Sequence, residues 1–265
     1  MSHRVIAIAG KGGVGKTSIS AILAGELVKQ GRCKALIVDA DPSGGLGMAL
    51  GLSVRRSINQ LRVDTIQEIK KKTIDDRDLS KQLDFILMDA LNEKANLAFI
   101  AVGRPEEVGC YCSVNNLLRE AIETLSIKFD VTVIDAEAGV EQINRKVVGS
   151  VDHLFLVADS SVKAITVAES IDTVFSRINR SGRTDLILNR IESPEQADAI
   201  ATRTHLNVLG WIPEDSTIRK YDLEERSFFD LPACPAANAV IAIVEKTGIL
   251  TGIGLQAGPM TANDT

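Results

Sequence analysis

The sequence lacks any apolar run near the length of about 18 residues that a membrane-spanning helix requires, and no targeting pattern precedes its first apolar segment. We therefore expect a cytoplasmic protein with no membrane partner. The sequence also lacks an excess of basic residues: 30 Lys and Arg stand against 35 Asp and Glu, which gives a net charge of -5. Because proteins bind nucleic acids through basic surfaces, we expect no nucleic-acid partner.

Cysteines are scarce, with four in 265 residues. The cysteines of a cytoplasmic protein are expected to be reduced, so a close pair indicates metal or redox chemistry before a structural disulfide. Cys33 and Cys234 have no partner nearby in the sequence, and we predict that they are packing residues. Cys110 and Cys112 are separated by a single residue and form such a close pair.

Apolar segments alternate with segments of helical periodicity along most of the chain. The predicted strands cover residues 5–9, 35–39, 97–102, 131–135, 153–158, 186–189 and 208–212, and the predicted helices include 19–29, 114–127, 162–178 and 194–204. Strands that are apolar on both faces are typical of a parallel sheet with helices on both sides, so we predict a doubly wound, mostly parallel α/β fold. Binding residues are then expected at the carboxyl ends of the strands.

The chain is predicted to form a single domain over residues 1–253. Residues 53–95 are more polar, and we interpret them as a helical insertion with helices at 65–72 and 79–91. Residues 254–265 are rich in Gly, Ala, Thr and Asn, which predicts a flexible C-terminal tail.

The segment after the first predicted strand, residues 10–17, has the sequence GKGGVGKT. It fits the phosphate-binding motif G-x-x-x-x-G-K-[ST], in the context of a strand followed by a helix that this motif requires. Glycines let backbone N–H groups point at phosphate oxygens, the motif lysine reaches the β- and γ-phosphates, and the hydroxyl binds Mg²⁺. The predicted nucleotide contacts are Gly12, Gly13, Val14, Gly15, Lys16, Thr17 and Ser18, with Thr17 as a metal ligand.

The same loop also fits the dinucleotide fingerprint G-x-G-x-x-G, which would begin at Gly10. Asp39 ends the next predicted strand, where an acidic residue would bind ribose in such a site. A dinucleotide site has no use for Lys16 and Thr17 directly after the last glycine, whereas a magnesium–triphosphate site needs both. We therefore favour a nucleoside triphosphate over a dinucleotide.

Acidic residues follow two of the predicted strands. Asp39 and Asp41 lie two residues apart on extended backbone, so their carboxylates point to one side. One carboxylate can orient the attacking water, and the other can help to hold Mg²⁺. The structural alternative is that Asp39 caps a turn before Pro42. Asp135 ends an apolar strand, as the magnesium-side acid of phosphate-loop enzymes does. Gly139 can then donate its N–H to the γ-phosphate and act as a switch.

The candidate base site lies after the last two predicted strands. The side-chain amide of Asn189 can pair with a donor and an acceptor on adenine, which favours ATP over GTP, and Arg190 follows it directly. A role for Asn189 in a strand-to-helix turn is the structural alternative. Residues 212–215 follow the next strand, and Pro213 is predicted to line the base pocket with its backbone.

Lys11 is a second lysine in the phosphate loop. In order and spacing, this loop, the acidic segments at Asp39 and Asp135, and Asn189 resemble the MinD/ParA/nitrogenase-reductase class of ATPases with a deviant Walker A motif, over most of residues 1–250. In that class the additional lysine reaches the phosphates bound to the partner subunit. The resemblance implies ATP or ADP with Mg²⁺ as cofactors and a homodimer that forms on ATP binding. Its candidate catalytic residues are Lys11, Lys16, Asp39 and Asp135.

A disulfide between Cys110 and Cys112 would close a very small, strained ring. On extended backbone both thiols point to one side, and the start of the predicted helix that follows lowers their pKa and favours thiolate. Two thiolates are half of a tetrahedral site, and a two-fold dimer supplies four, which suits Zn²⁺, Ni²⁺ or an iron–sulfur cluster. The structural alternative is two incidental loop cysteines.

The pair lies in the sequence GCYC, between the third predicted strand and the helix before Asp135. This segment is similar to that of the CooC family of nickel-insertion ATPases. That resemblance implies an ATPase that binds Ni²⁺ or Zn²⁺ at its dimer interface. It further implies a nickel client enzyme, either carbon monoxide dehydrogenase or acetyl-CoA synthase. The alternatives are a [4Fe–4S] electron-transfer or scaffold protein and a MinD/ParA-like switch without metal.

Overall fold

The computed structural model describes residues 3–70, 87–88, 90–104, 125–136 and 151–250. The strands within them are β1 (Arg4–Gly10), β2 (Ala35–Asp39), β3 (Asn92–Lys94), β4 (Leu97–Ala101), β5 (Val131–Asp135), β6 (His153–Ala158), β7 (Arg183–Ile191) and β8 (Val208–Pro213). They form one sheet in the order β3-β4-β2-β5-β1-β6-β7-β8. Every neighbouring pair is parallel except β3 and β4, which are antiparallel.

Helices connect the strands. Those of the described residues are α1 (Lys16–Gln30), α2 (Gly45–Leu50), α3 (Ile58–Lys70), α4 (Val162–Ile178), α5 (Pro194–Ala201), α6 (Ser216–Leu223) and α7 (Pro235–Lys246), with a 3-10 turn at Phe228–Asp230. Ser161, Ser193 and Asp215 cap α4, α5 and α6, because each side-chain oxygen accepts a backbone N–H of the first turn. Among these described helices, none has the length and apolar character needed to cross a membrane.

The central strands are buried along their whole length. Every residue of β2, β4, β5 and β6 is buried. Helix α1 packs across β1, β2, β4 and β5, whereas α4 packs on β1 and β6. The doubly wound, mostly parallel sheet predicted from the apolar segments is therefore confirmed, and the carboxyl ends of its parallel strands share one edge.

The range 53–95, predicted as a helical insertion, differs in part from the structure. Helix α3 begins at Ile58 rather than at residue 65, and most of the predicted helix 79–91 lies outside the described residues. The range ends in strand β3, where Asn92 lies opposite Phe99 of β4. Three residues are too few to show strand periodicity, so the sequence does not reveal β3.

Helix α2 is also absent from the sequence prediction. It contains Gly45 and Gly47, and glycine disfavours helix by about 1 kcal/mol relative to alanine. The helix forms because Leu46 and Leu50 are fully buried in the core. The carboxylate of Asp39 also accepts hydrogen bonds from its first turn.

Candidate functional site

The carboxyl ends of β1, β2 and β5 bring the predicted phosphate and magnesium residues together. Strand β5 lies between β2 and β1, and its last residue, Asp135, is in register with Asp39 on β2 and with Ile8 on β1. The loop of residues 11–15 runs from the end of β1 directly into α1. The loop and both carboxylates therefore lie at one edge of the sheet.

Two glycines of the loop are required by its geometry. Gly10 has a φ of 152°, and a Cβ atom there would lie 2.2 Å from the carbonyl oxygen of Val157 on β6. Gly15 has a φ of 94°, and a Cβ atom there would lie 2.3 Å from Nδ2 of Asn189. A side chain at either position would therefore displace the loop from the strands that hold it.

The motif lysine folds back onto the loop. Nζ of Lys16 donates a hydrogen bond of 3.2 Å to the carbonyl oxygen of Lys11, and Lys16 is only 7% exposed. A buried ammonium group next to a glycine-rich loop is a suitable environment for polyphosphate oxygens. The residues of this loop therefore fit the phosphates of a nucleotide.

Asp135 is linked to the first turns of α1. Its carboxylate accepts hydrogen bonds from the Thr17 hydroxyl at 2.8 Å and from the Ser20 hydroxyl at 3.1 Å. Burial and, to a smaller extent, the charge of Asp39 raise the pKa of Asp135 to about 7, although the hydrogen bond from Thr17 acts to lower it. Oxygen ligands of this kind fit Mg²⁺, which when bound would neutralise charge on the phosphates. The sequence analysis missed Ser20, which lies one helical turn after Thr17.

Asp39 and Asp41 have different environments. The carboxylate of Asp39 is fully buried and accepts backbone N–H groups of Asp41, Leu46 and Gly47 at 3.1–3.2 Å. Asp41 is half-buried, and its Oδ1 accepts both the N–H and the hydroxyl of Ser43 at 2.8 Å and 2.6 Å. The side chain with access to solvent is thus that of Asp41, whereas Asp39 holds the start of α2.

The predicted base-site residues line a cleft of about 460 Å³. It is bordered by Ser18, Asn189, Arg190, Pro213 and other residues of α1, α6 and α7. Nδ2 of Asn189 donates a 2.7 Å hydrogen bond to the carbonyl of Val14, and Arg190 donates at 3.1 Å to the carbonyl of Gly13. Both residues therefore contact the backbone of the phosphate loop as well as the cleft.

Asp159, which the sequence analysis did not single out, lies beside Lys11. Gly10 on β1 is in register with Val157 on β6, which places the residues after both strands next to each other. Partial burial would raise the pKa of Asp159, but hydrogen bonds from Ser161 and the charges of Lys11 and Arg190 lower it below its ordinary value. A single aspartate at the end of a strand matches no sequence motif, so only the strand register reveals that Asp159 lies beside Lys11.

Cys110, Cys112 and Gly139 lie outside the described residues. In the part of the chain that the structure describes, no group of three or more His, Cys, Asp or Glu side chains could hold a metal ion. Cys33 and Cys234 are buried, as predicted for packing residues. Burial raises the pKa of the Cys33 thiol to about 11 and also raises that of Cys234, so neither favours the thiolate that binds metal.

The family follows from comparison with known proteins. A model of the CobQ/CobB/MinD/ParA nucleotide binding domain matches residues 5–228. The chain belongs to this family. With its strand–loop–helix phosphate site, it is a P-loop ATPase of the MinD/ParA type.

Individual relatives agree with this assignment. The chain is 32% identical to an ATP-binding protein of Methanocaldococcus jannaschii over 86% of this chain and 91% of the relative. It is 28% identical to the carbon monoxide dehydrogenase accessory protein CooC of Rhodospirillum rubrum over 94% of this chain and 99% of the relative. The fold resembles that of the septum site-determining protein MinD of Pyrococcus horikoshii, solved with Mg-ADP, with a TM-score of 0.67, 24% identity and coverage of 96% and 100%.

Proposed function

We propose that this ATPase is a metallochaperone that dimerises on binding ATP and holds Ni²⁺ or Zn²⁺ between its subunits at Cys110 and Cys112. In this proposal it assists nickel insertion into carbon monoxide dehydrogenase or acetyl-CoA synthase, and the metal ion is its cargo. The observation that carries the proposal is the similarity to CooC over nearly the full length of both chains, in a sequence that contains Cys-x-Cys. Four thiolates from two subunits suit either metal.

For the nucleotide, we assign ATP or ADP with Mg²⁺ to the loop of residues 10–18. Lys16 would bind the β- and γ-phosphates, and Thr17 and Asp135 would hold Mg²⁺. Asp41 is the better candidate to orient the attacking water because it is half-exposed, whereas the carboxylate of Asp39 is occupied by three backbone donors. Asp39 would then contribute to catalysis by fixing α2 and the segment before it.

The remaining nucleotide contacts are assigned by position. The base would enter the cleft that Asn189, Arg190 and Pro213 border, and the orientation of the Asn189 amide leaves its oxygen to accept a hydrogen bond from the adenine amino group. Guanine presents an acceptor at that place, so this contact would favour ATP. Gly139 remains the proposed donor to the γ-phosphate.

A homodimer is supported by the surface around the loop. Cβ atoms placed on Gly12 and Gly13 would meet no atom of the described residues within 4 Å, which leaves room for a second subunit on this side of the loop. Two large apolar side chains near the same edge of the sheet, Met48 and Val162, are 69% and 77% exposed. Apolar side chains on such a surface suit a protein partner. Lys11 would then reach the partner's phosphates.

Metal titration under anaerobic conditions tests the proposal. With Mg²⁺ and a non-hydrolysable ATP analogue, we expect the wild type to bind Ni²⁺ or Zn²⁺ tightly and the double variant Cys110→Ala/Cys112→Ala to lose this affinity. Cys33→Ala is the matched control, because its buried, high-pKa thiol is unsuited to metal and its removal should leave affinity unchanged. Equal affinity in the wild type and the double variant would refute the metallochaperone.

Two further outcomes would change the assignment. A broad visible absorption at about 400 nm in anaerobically purified protein, lost in the double variant, would indicate a thiolate-bound [4Fe–4S] cluster and favour an electron-transfer or scaffold protein. Unaltered ATPase activity and client maturation in the double variant would favour a MinD/ParA-like switch without metal.

A further inference from the structure

The side chains of Asn189 and Arg190 bond two consecutive carbonyl groups of the phosphate loop. Asn189 Nδ2 donates to the Val14 carbonyl at 2.7 Å, and Arg190 donates to the Gly13 carbonyl at 3.1 Å. Both side chains come from the carboxyl end of β7, which is separated from the loop strand β1 by β6. The loop is thus held from outside by two adjacent residues of a single strand.

A fixed carbonyl also fixes the N–H group of the same peptide. In a trans peptide the C=O and the following N–H point in opposite directions, and the described residues contain no cis peptide bond. The Gly13 carbonyl shares its peptide with the N–H of Val14, and the Val14 carbonyl shares its peptide with the N–H of Gly15. Because both carbonyls point towards β7, these two N–H groups point away from β7. That is the side on which a phosphate-binding loop requires its hydrogen-bond donors.

Arg190 has an unusual backbone conformation that serves this contact. Its φ is 58°, in the left-handed region that residues with a Cβ atom rarely adopt. The register between β7 and β8 shifts here, since Asn189 pairs with Ile212 and Ile191 pairs with Pro213, so Arg190 is an additional residue without a position in the ladder. Backbone strain of this kind is typical of functional sites. The bulge lifts Arg190 out of the strand and towards the loop.

A neighbouring acid balances part of the charge around the guanidinium group. Asp159 follows β6, the strand between β1 and β7, and its carboxylate lies within the electrostatic influence of both Arg190 and Lys11. An arginine with its charge partly balanced can donate to a neutral carbonyl without being drawn into solvent. The carboxylate is itself held by the N–H of Ser161 at 2.9 Å.

We propose that Arg190 is a positioning residue for ATP binding, which orients the Gly13–Val14 peptide so that the loop is preorganised for phosphate before nucleotide arrives. The inference rests on the nucleotide site assigned above, and it gives Arg190 a role separate from base recognition. Asn189 performs the same function on the next peptide, but it is buried and its amide is also the proposed partner of adenine, so it is a less specific probe. Arg190 is exposed, so its replacement should not disturb the core.

The test uses Arg190→Gly, which tolerates the left-handed conformation and removes only the side chain. Arg180→Ala is the charge-matched control, because Arg180 is exposed and lies between α4 and β7, at the opposite end of the sheet. Calorimetric titrations would measure the affinities for three ligands. These are ATP and inorganic tripolyphosphate, each in the presence of Mg²⁺, and adenosine. We expect Arg190→Gly to weaken ATP and tripolyphosphate by the same factor, about tenfold, with adenosine unchanged. Arg190→Lys should restore only part of the loss, because a single ammonium lacks the planar fork.

Amide hydrogen exchange of the nucleotide-free protein separates positioning from direct attraction of phosphate. Preorganisation predicts faster exchange over residues 10–18 in Arg190→Gly than in the wild type, before any ligand is added. Unchanged exchange, unchanged tripolyphosphate affinity, or a loss confined to ATP and adenosine would each overturn the inference. A wild type that binds neither ATP nor tripolyphosphate would overturn the nucleotide site itself, and the role of Arg190 with it.

Discussion

Asp39 and Asp135 lie directly opposite each other on the neighbouring strands β2 and β5, with 0% and 1% of their surfaces exposed. Burial raises the pKa of both carboxyl groups, and the charge of Asp39 adds to the effect on Asp135. Two buried acids side by side are costly unless a cation or a proton compensates for them. The pair therefore destabilises the nucleotide-free subunit at a place suited to a divalent cation.

Asp135→Asn should stabilise the protein without nucleotide or Mg²⁺ at pH 8. The folded-state pKa of about 7 exceeds the ordinary value of 3.8, so the folded state binds more protons between these values and wild-type stability falls as pH rises through them. We expect the free energy of unfolding to increase by about 1–4 kcal/mol at pH 8, because each unit of pKa shift corresponds to about 1.4 kcal/mol. Urea denaturation at several pH values would measure it. The gain should shrink towards pH 4, and a gain independent of pH would contradict this account.

Replacements of Asp39 and Asp41 should have different effects. Asp39→Ala removes the acceptor for three backbone N–H groups and should cost about 1–3 kcal/mol of stability. Asp41→Ala removes only the two hydrogen bonds from Ser43 at a half-exposed position, so it should cost about 1 kcal/mol or less but lower kcat for ATP with little change in KM. Denaturation and steady-state kinetics of both variants would check this. A large kcat effect confined to Asp39→Ala would reverse the two roles.

The parts of the fold that could be predicted from sequence share a physical origin. Strand β4 is entirely apolar and β2 is apolar up to its last residue, Asp39; every residue of both is buried, so composition alone reveals them. The phosphate loop has fixed spacing because backbone N–H groups must surround a phosphate. In contrast, α2 depends on Asp39 as a cap and on tertiary burial of Leu46 and Leu50, which override its glycine content.

The features that could not be predicted depend on strand order. The sequence does not say that β6 lies beside β1, so it cannot place Asp159 beside Lys11. Nor does it show the bulge that turns Arg190 towards the loop. The predicted roles of Cys110 and Cys112 remain predictions, since both lie outside the described residues.

Two glycine replacements form a matched pair for stability. Gly10→Ala would place a Cβ atom 2.2 Å from a backbone oxygen of Val157 and should cost about 3 kcal/mol or more. Gly45→Ala would place its Cβ atom 3.7 Å from the nearest atom, a methyl carbon of Thr17, and should gain about 0.5 kcal/mol by favouring the helical conformation. Thermal denaturation of both variants would measure the difference. Similar stabilities would contradict the close approach of β1 and β6.

His153 should make the protein sensitive to acid. Its ring lies 2.7 Å from Asp185, which also accepts a hydrogen bond from Asn207, and burial lowers the pKa of His153 against the influence of Asp185. The unfolded chain then binds a proton that the folded chain does not, so stability is lost as pH falls below about 6.5. The free energy of unfolding of the wild type should therefore fall from pH 8 to pH 5 relative to that of His153→Gln, so that the difference between the two proteins narrows.

Denaturant midpoints across this range would measure that narrowing. His205→Gln is the control, because the side chain of His205 is 63% exposed and its loss should leave the acid sensitivity in place. If His153→Gln loses stability with acid as steeply as the wild type, another group is responsible.

Lys11→Ala should separate nucleotide binding from dimerisation. Lys16, Thr17 and the loop backbone remain, so a single subunit should still bind ATP, but the contact across the proposed dyad is lost. Light scattering with an ATP analogue should then show no doubling of mass, and turnover should fall at least about tenfold. Lys34→Ala, at the opposite end of the sheet, should behave as the wild type. Normal ATP-dependent dimerisation of Lys11→Ala would contradict the role of Lys11 across the interface.

The central claim is that ATP brings two half-sites of paired cysteines together around one metal ion. Elemental analysis of anaerobically prepared protein, combined with its solution mass, tests this most directly with and without a non-hydrolysable ATP analogue. The account predicts one Ni²⁺ or Zn²⁺ for every two chains, retained only in the nucleotide-bound dimer. A metal content of zero in that dimer, or the same content in the Cys110→Ala/Cys112→Ala variant, would contradict it.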